Sequence, residues 1–257
     1  MKAIILAAGQ GLRLRPLTEA LPKCLAIVLG GRPLLEWQLQ ALRASGVEQI
    51  TIVRGYQAEK ICYPGIRYVF NPQYDRTNIL GSLACAIEEL VGDVIVTYAD
   101  IWYDTGVVQS LLDATADVAI GVDPKWRSRY VGRDSRLVTE VESVVIGPTQ
   151  QVVKIGKMTP REPGVDAEFI GMMKLTDEGC RTLRKYYAQA AACFCGKPFQ
   201  RAVTFEQAYL TDLLQAMVDA GETVHCQPIE GYWCEIDTVA DLRNVETEFV
   251  GRLLSAP

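Results

Sequence analysis

Hydrophobic positions in the first half of the chain fall into two alternating patterns. Short runs rich in aliphatic and β-branched residues, at Ala3 to Leu6, Gln49 to Val53, Ile66 to Phe70, Asp93 to Tyr98 and Asp117 to Val122, predict strands, the first of them parallel and buried on both faces. Between them apolar residues recur at helical spacing. Leu35, Leu39 and Leu42 give one face of a helix from Pro33 to Ala44, with Pro33 suited to the first turn and Gly46 ending it. Ile79 to Leu90, with Asn78 as N-cap, and Asp104 to Ala114 read as two more helices. Alternating strand and helix predicts an α/β sandwich around a mainly parallel sheet.

From about Pro124 the pattern turns β-rich. Strands are expected at Arg136 to Ile146, Val152 to Ile155 and Ala167 to Leu175. Helices follow near Asp177 to Ala190 and Phe205 to Ala220, then a strand at Thr223 to Ile229 and a closing helix at Val239 to Leu254. No internal repeat or low-complexity linker divides the chain. The expectation is a single domain over 1–257, with a core of about 1–123 plus 223–257 and a smaller β-rich lobe of about 124–222.

Composition narrows the function classes. With 49% hydrophobic and 22% charged residues the chain is an ordinary globular protein, not a disordered one. Its net charge of −5 lacks the basic surplus needed to coat nucleic acid. One histidine, His225, argues against multi-histidine zinc sites and leaves any histidine-based triad hanging on one residue. The eight cysteines include only one close pair, Cys193 and Cys195, which is not C-x-x-C. These features predict a reduced, cytoplasmic protein with mostly core cysteines. The apolar run before Gly9 is too short for a secretory core, and no later run is long enough to span a bilayer, so no membrane partner is expected.

The chemistry concentrates in the loop after the first strand. Leu6, Ala8, Gly9 and Gly11 lie where a strand leaves the carboxyl edge of a parallel sheet, and glycines there let backbone N–H groups approach an anion. Arg13 and Lys23 add positive charge for phosphates. The string G-x-x-x-x-G-K-[ST] is absent, and the third glycine of a dinucleotide loop is replaced by Leu14 with Pro16 close behind.

The run Gly9-Gln10-Gly11-Leu12-Arg13-Leu14-Arg15-Pro16-Leu17-Thr18, followed by Pro22-Lys23, resembles the nucleotidyltransferases that join a nucleoside monophosphate to a phosphorylated small molecule. Those enzymes open with a strand, then G-x-G-x-R-L-x-P-L-T, then P-K, and the resemblance extends over nearly the whole chain. It implies a Rossmann-like nucleotidyltransferase sandwich whose β-rich lobe lies on the acceptor side. It also implies that the loop wraps a nucleoside triphosphate, that Arg13 meets its phosphates and that Lys23 sits near the α-phosphate, these two being the catalytic pair.

A carboxylate is then needed for a hard cation, and Asp100 follows the strand Asp93 to Tyr98. The resemblance matches Asp100 to the family's metal-binding aspartate after the strand, and Asp237, within Glu235-Ile236-Asp237, to the second aspartate of its choline-type members, implying Mg²⁺. Taken singly, Asp100 reads equally as a strand-end cap and Asp237 as a helix N-cap. An acceptor phosphate or phosphonate oxygen would attack the α-phosphorus and expel pyrophosphate. Such an oxygen is largely ionised at neutral pH, its second pKa being about 6, so no general base is required.

Tyr74 to Leu83 and Tyr98-Ala99-Asp100 are similar to the cytidylyltransferases that act on phosphocholine or small phosphonates, which implies CTP and places Asn78 and Ser82 near base and ribose. A capped helix start explains those two residues equally well. Basic and aromatic residues from Lys125 to Arg133, Arg129 among them, suit an acceptor phosphonate, a solvated hairpin or a subunit contact. For an aminoalkyl acceptor the candidates are Asp212, Trp233 and Glu168, each with a plain alternative as helix-surface acid, core tryptophan or strand-end acid. The expectation is CMP transfer from CTP to 2-aminoethylphosphonate or 2-hydroxyethylphosphonate. The rivals are a phosphocholine enzyme, a hexose-1-phosphate enzyme and a non-catalytic nucleotide-binding module. A homodimer is implied at family level only.

Overall fold

In the computed structural model, residues 1–130, 141–158 and 164–245 are described. The first half runs β1 (Lys2–Ala7), a small hairpin β2 (Ile27–Val28) and β3 (Arg32–Pro33), α1 (Leu34–Ala44), β4 (Gln49–Arg54), β5 (Arg67–Phe70), α2 (Ile79–Cys85), β6 (Val94–Tyr98), β7 (Ile101–Tyr103), α3 (Thr105–Leu112) and β8 (Val118–Asp123). A short helix α4 (Trp126–Arg129) leads to β9 (Glu142–Ile146), β10 (Val152–Lys157), β11 (Ala167–Leu175), α5 (Asp177–Phe194), α6 (Leu210–Asp219), β12 (His225–Pro228) and β13 (Trp233–Glu235). Residues 239–245 are helical.

Nine strands form one sheet in the order β10-β9-β11-β6-β1-β4-β5, with β8 bridging β11 and β12. From β6 to β5 every neighbour is parallel; β11 runs antiparallel to β6. Side chains of β1 alternate between two cores. Ile4 and Leu6 pack with Leu80, Leu83, Leu183 and Leu213 on one face; Ala3 and Ile5 pack with Leu35, Leu39, Val108 and Leu111 on the other. The sandwich expected from the alternating pattern is therefore observed. Register sets the site: Leu6 lies opposite both Val53 and Tyr98, so the glycine loop and the Ala99-Asp100 link leave the same carboxyl edge.

Several expectations change. Pro33 precedes α1 as its N-cap residue instead of opening the first turn. The helix expected to reach Leu90 stops at Cys85, and a separate 3-10 turn follows at Ile87–Glu89. The expected Phe205 to Ala220 helix is a 3-10 turn, Phe205–Gln207, and then α6. Residues 136–140 of one expected strand and 246–254 of the closing helix lie outside the described residues. The ribbon of β7 with β13 was not expected, because Ile101-Trp102-Tyr103 is short and buried throughout, without alternation. The cysteines are not mostly core: Cys24, Cys180 and Cys226 are buried, while Cys62, Cys85, Cys193 and Cys195 are exposed. Among the described residues no helix is long and apolar enough to cross a membrane.

Candidate active site

A cavity of about 430 Å³ opens at the carboxyl edge of β1. All the residues expected to meet nucleotide, Leu6, Ala8, Gly9, Gly11, Arg13, Asn78 and Ser82, line it. Gly11 adopts φ +61°, and a Cβ there would stand 2.8 Å from Lys23 Cβ, so glycine lets the loop close over the lysine. A Cβ on Gly9 would meet nothing within 4 Å, leaving open cavity beside its backbone. Thr18, fully buried, donates through Oγ1 to the Gly11 carbonyl at 2.7 Å and ties the loop's two limbs together. Leu14 is fully buried in an apolar cluster with Trp102 and Ile236, which belong to the segments carrying the acidic residues. Asn78 caps α2, accepting from Ile79 N at 2.8 Å, and the Ser82 hydroxyl accepts from Asn71 Nδ2 at 3.2 Å.

At the floor, Lys23 Nζ donates to Asp100 Oδ2 at 3.0 Å and to Asp237 Oδ1 at 2.5 Å, while Arg13 Nη2 lies 2.7 Å from Asp237 Oδ2. Asp100, Glu235 and Asp237 each offer an oxygen within 4.8 Å of the others. Burial works against the Lys23 charge, but Asp100, Asp237 and Glu235 outweigh it and hold the ammonium above its ordinary value. Burial likewise opposes ionisation of Asp237, yet Lys23 and Arg13 bring its carboxyl below the usual range. Glu235 goes the other way: burial, then the charges of Asp237 and Asp100, push it well above the carboxylate range. Asp237 is not the helix cap. Asp241 Oδ2 accepts from Asp237 N at 3.0 Å and Thr238 N at 2.8 Å, so Thr238 and Asp241 cap the helix and Asp237 turns its carboxylate to Lys23.

A second chamber of about 250 Å³ adjoins the first, and Arg13, Asn78, Ile79, Tyr98 and Asp100 line both. Its far wall holds Glu142, Lys157, Glu168, Tyr209 and Trp233. Glu142 lies opposite Lys157 in the β9–β10 register and accepts from Thr211 Oγ1 at 2.7 Å. Burial pushes Glu142 up to about 7, against the pull of Thr211 and Lys157. Buried Glu168 accepts from the Tyr130 hydroxyl at 2.6 Å. The Trp233 indole donates to buried Asp123 at 2.9 Å, which fixes the ring.

Of the acceptor residues expected from sequence, Glu168 and Trp233 face this chamber. Asp212 does not: it is buried at the start of α6, accepting from Tyr209 N at 2.8 Å and Arg201 N at 3.3 Å, so it serves as a backbone cap. Arg129 ends α4, and its side chain lies outside the described residues, as do Val131, Gly132 and Arg133. The sequence reading missed Tyr98, Glu142, Lys157, Tyr209 and Glu235. For Glu235 a signal existed, since alternate residues of an extended segment share a face with Asp237; for Glu142 and Lys157 only strand register brings the pair together.

The chain has relatives among known nucleotidyltransferases. The chain is 39% identical over 261 residues to a 2-aminoethylphosphonate cytidylyltransferase of Lancefieldella rimae, covering 98% of this chain and 95% of that protein. It is 30% identical over 254 residues to a CTP:phosphoglutamine cytidylyltransferase of Campylobacter jejuni, covering 94% and 98%. The solved CTP:phosphocholine cytidylyltransferase of Streptococcus pneumoniae superposes with a TM-score of 0.73 at 25% identity, covering 96% of this chain and 98% of that one. The profile of the MobA-like NTP transferase domain matches residues 3–223. With that match spanning most of its length, the chain belongs to the MobA-like NTP transferase family.

Proposed function

We propose that this protein is a Mg²⁺-dependent cytidylyltransferase that transfers CMP from CTP to a small phosphonate of the 2-aminoethylphosphonate type, releasing pyrophosphate. The observation that carries the reading is the Lys23 bridge between Asp100 and Asp237, set where the two chambers meet. The three relatives above are all named for CTP-dependent transfer to small phosphorylated or phosphonate acceptors.

Asp100, Glu235 and Asp237 fit a hard divalent cation: the donors are all oxygens, they converge, and Asp100 Oδ1 is buried without a hydrogen-bond partner among the described residues. Bound there, Mg²⁺ would act as a Lewis acid and neutralise charge on the triphosphate. The chain's own residues do the rest. Loop N–H groups and the half-exposed Arg13 guanidinium receive phosphate oxygens, and the Lys23 ammonium stands where charge develops on the α-phosphoryl group. The acceptor oxygen, already ionised, forms a bond to the α-phosphorus; the bond to the β-phosphate oxygen breaks, and its electron pair leaves with pyrophosphate. Holding two anions in line is the main task.

The second chamber supports an acceptor with a primary ammonium. Glu142 and Glu168 offer acceptor oxygens for N–H groups, and the fixed Trp233 ring offers a face to the cation. A trimethylammonium has no N–H to give. Pyrophosphate release tests the reading with CTP, UTP, ATP and GTP against 2-aminoethylphosphonate, 2-hydroxyethylphosphonate, phosphocholine and glucose 1-phosphate. The highest kcat/KM is expected for CTP with 2-aminoethylphosphonate. A higher value with phosphocholine or glucose 1-phosphate overturns the acceptor, and no turnover with any pair favours a non-catalytic module.

A further inference from the structure

Gln38 is the one wholly buried amide on the inward face of α1, where its neighbours are Leu34, Leu35, Leu39 and Leu42. Its Nε2 donates to the Tyr98 carbonyl at 2.9 Å and to the Ile101 carbonyl at 2.7 Å. These are the last residue of β6 and the first of β7, so the two bonds span the Ala99-Asp100 link from both ends. On the other side, Ile236 N donates to the Asp100 carbonyl at 2.9 Å. The amide orientation follows from chemistry, since two carbonyl oxygens need a donor. Its own Oε1 is buried without a hydrogen-bond partner among the described residues. A methionine would fill the same space with no unpaired oxygen, so packing alone does not call for glutamine at this position.

We infer that Gln38 is a positioning residue for Asp100: by gripping both carbonyls that flank the Ala99-Asp100 link, it fixes that carboxylate against Glu235 and Asp237. The link leaves the main sheet; among the described residues Asp100 itself is otherwise bonded by Ile236 N and Lys23, while Thr97 Oγ1 shares the Tyr98 carbonyl at 3.2 Å and Ile101 pairs with Glu235. The inference rests on the cation reading proposed above and deepens it. It separates two requirements, ligand identity in Asp100 and ligand placement in Gln38.

The test is direct Mn²⁺ binding, read by electron paramagnetic resonance of the free ion, on wild type, Gln38→Met, Asp100→Asn and Leu39→Ala, without nucleotide. Amide hydrogen exchange of residues 99–101 is followed in the metal-free proteins. Gln38→Met is expected to weaken Mn²⁺ about tenfold, the equivalent of two modest hydrogen bonds lost from the ligand-holding geometry, and to speed exchange at 99–101. Leu39→Ala is expected to lower Tm without changing the Mn²⁺ constant. A Gln38→Met protein with wild-type Mn²⁺ affinity, while Asp100→Asn loses the ion, overturns the positioning role and leaves the cation reading standing. Equal Mn²⁺ binding by wild type and Asp100→Asn overturns the cation reading and this inference with it. Should Gln38→Met fail to fold, Gln38→Asn, which keeps the amide one methylene short, is expected to show the same weakening, and wild-type affinity in it overturns the inference.

Discussion

The two chambers share a wall but are built differently. The chamber proposed for the nucleotide takes half of its lining from one stretch, Leu6 to Cys24, with residues 74–82, the end of β6 and Asp237 closing it. The acceptor chamber draws Glu142, Lys157, Glu168, Tyr209 and Trp233 from five separate segments. A loop that must pass close to a phosphate and to its own lysine writes that constraint as glycine spacing. A chamber assembled by strand register writes nothing local, and its residue choice is free to follow the acceptor. The first chamber is suited to a nucleotide common to many enzymes, the second to what distinguishes one enzyme from its relatives.

Substitutions should separate the two chambers. Lys23→Ala and Asp237→Asn are expected to cut turnover by at least about a thousandfold with every acceptor, as removal of preorganised charge at a phosphoryl centre does; near-normal pyrophosphate release in either would detach that residue from the chemistry. Glu142→Gln is expected to raise the acceptor KM about 30-fold, the ~2 kcal/mol typical of a buried charge partner, while the KM for CTP stays put. An equal rise in both constants would erase the distinction between chambers.

A pH series sharpens the same point. Glu142 is pushed up to about 7 by burial, so the folded chain keeps a proton that the unfolded chain releases near the ordinary carboxylate value. That contribution to stability is present at acid pH and is lost as pH rises through about 7. Ionised Glu142 is the form that attracts an ammonium, so the acceptor KM should fall across the same interval, and in Glu142→Gln the trend should shrink to the part set by the acceptor's own ionisation at about pH 6. The smallest effect on catalysis belongs to Asp212→Ala. Losing a helix cap should cost about 1–2 kcal/mol in thermal unfolding, with the acceptor KM unchanged. A large KM change there would return Asp212 to the acceptor chamber.

Sequence legibility follows the same division. The strands of the parallel sheet were readable because their runs are apolar and short, and Asp100 because it follows one of them at its carboxyl end. Asp237 needed the resemblance, since a helix-capping role explained it equally until Thr238 and Asp241 were seen to cap. Glu235 lay in the same string and went unassigned, although its spacing from Asp237 puts both on one face. Glu142 and Lys157 face each other only because β9 pairs with β10, which no local pattern announces. Asp212 misled because an acid near a helix start serves capping as readily as binding.

Leu14 stands where a dinucleotide loop would carry its third glycine, and its burial bears on how the protein fails. It shares one apolar knot with Trp102 and Ile236, whose chain neighbours are Asp100, Glu235 and Asp237. With the glycine loop and the acidic trio anchored in a common nucleus, the two are expected to open as one cooperative unit. A fluctuation that frees the loop should then also loosen the acids, an expectation that hydrogen exchange at residues 9–14 and 235–237 checks.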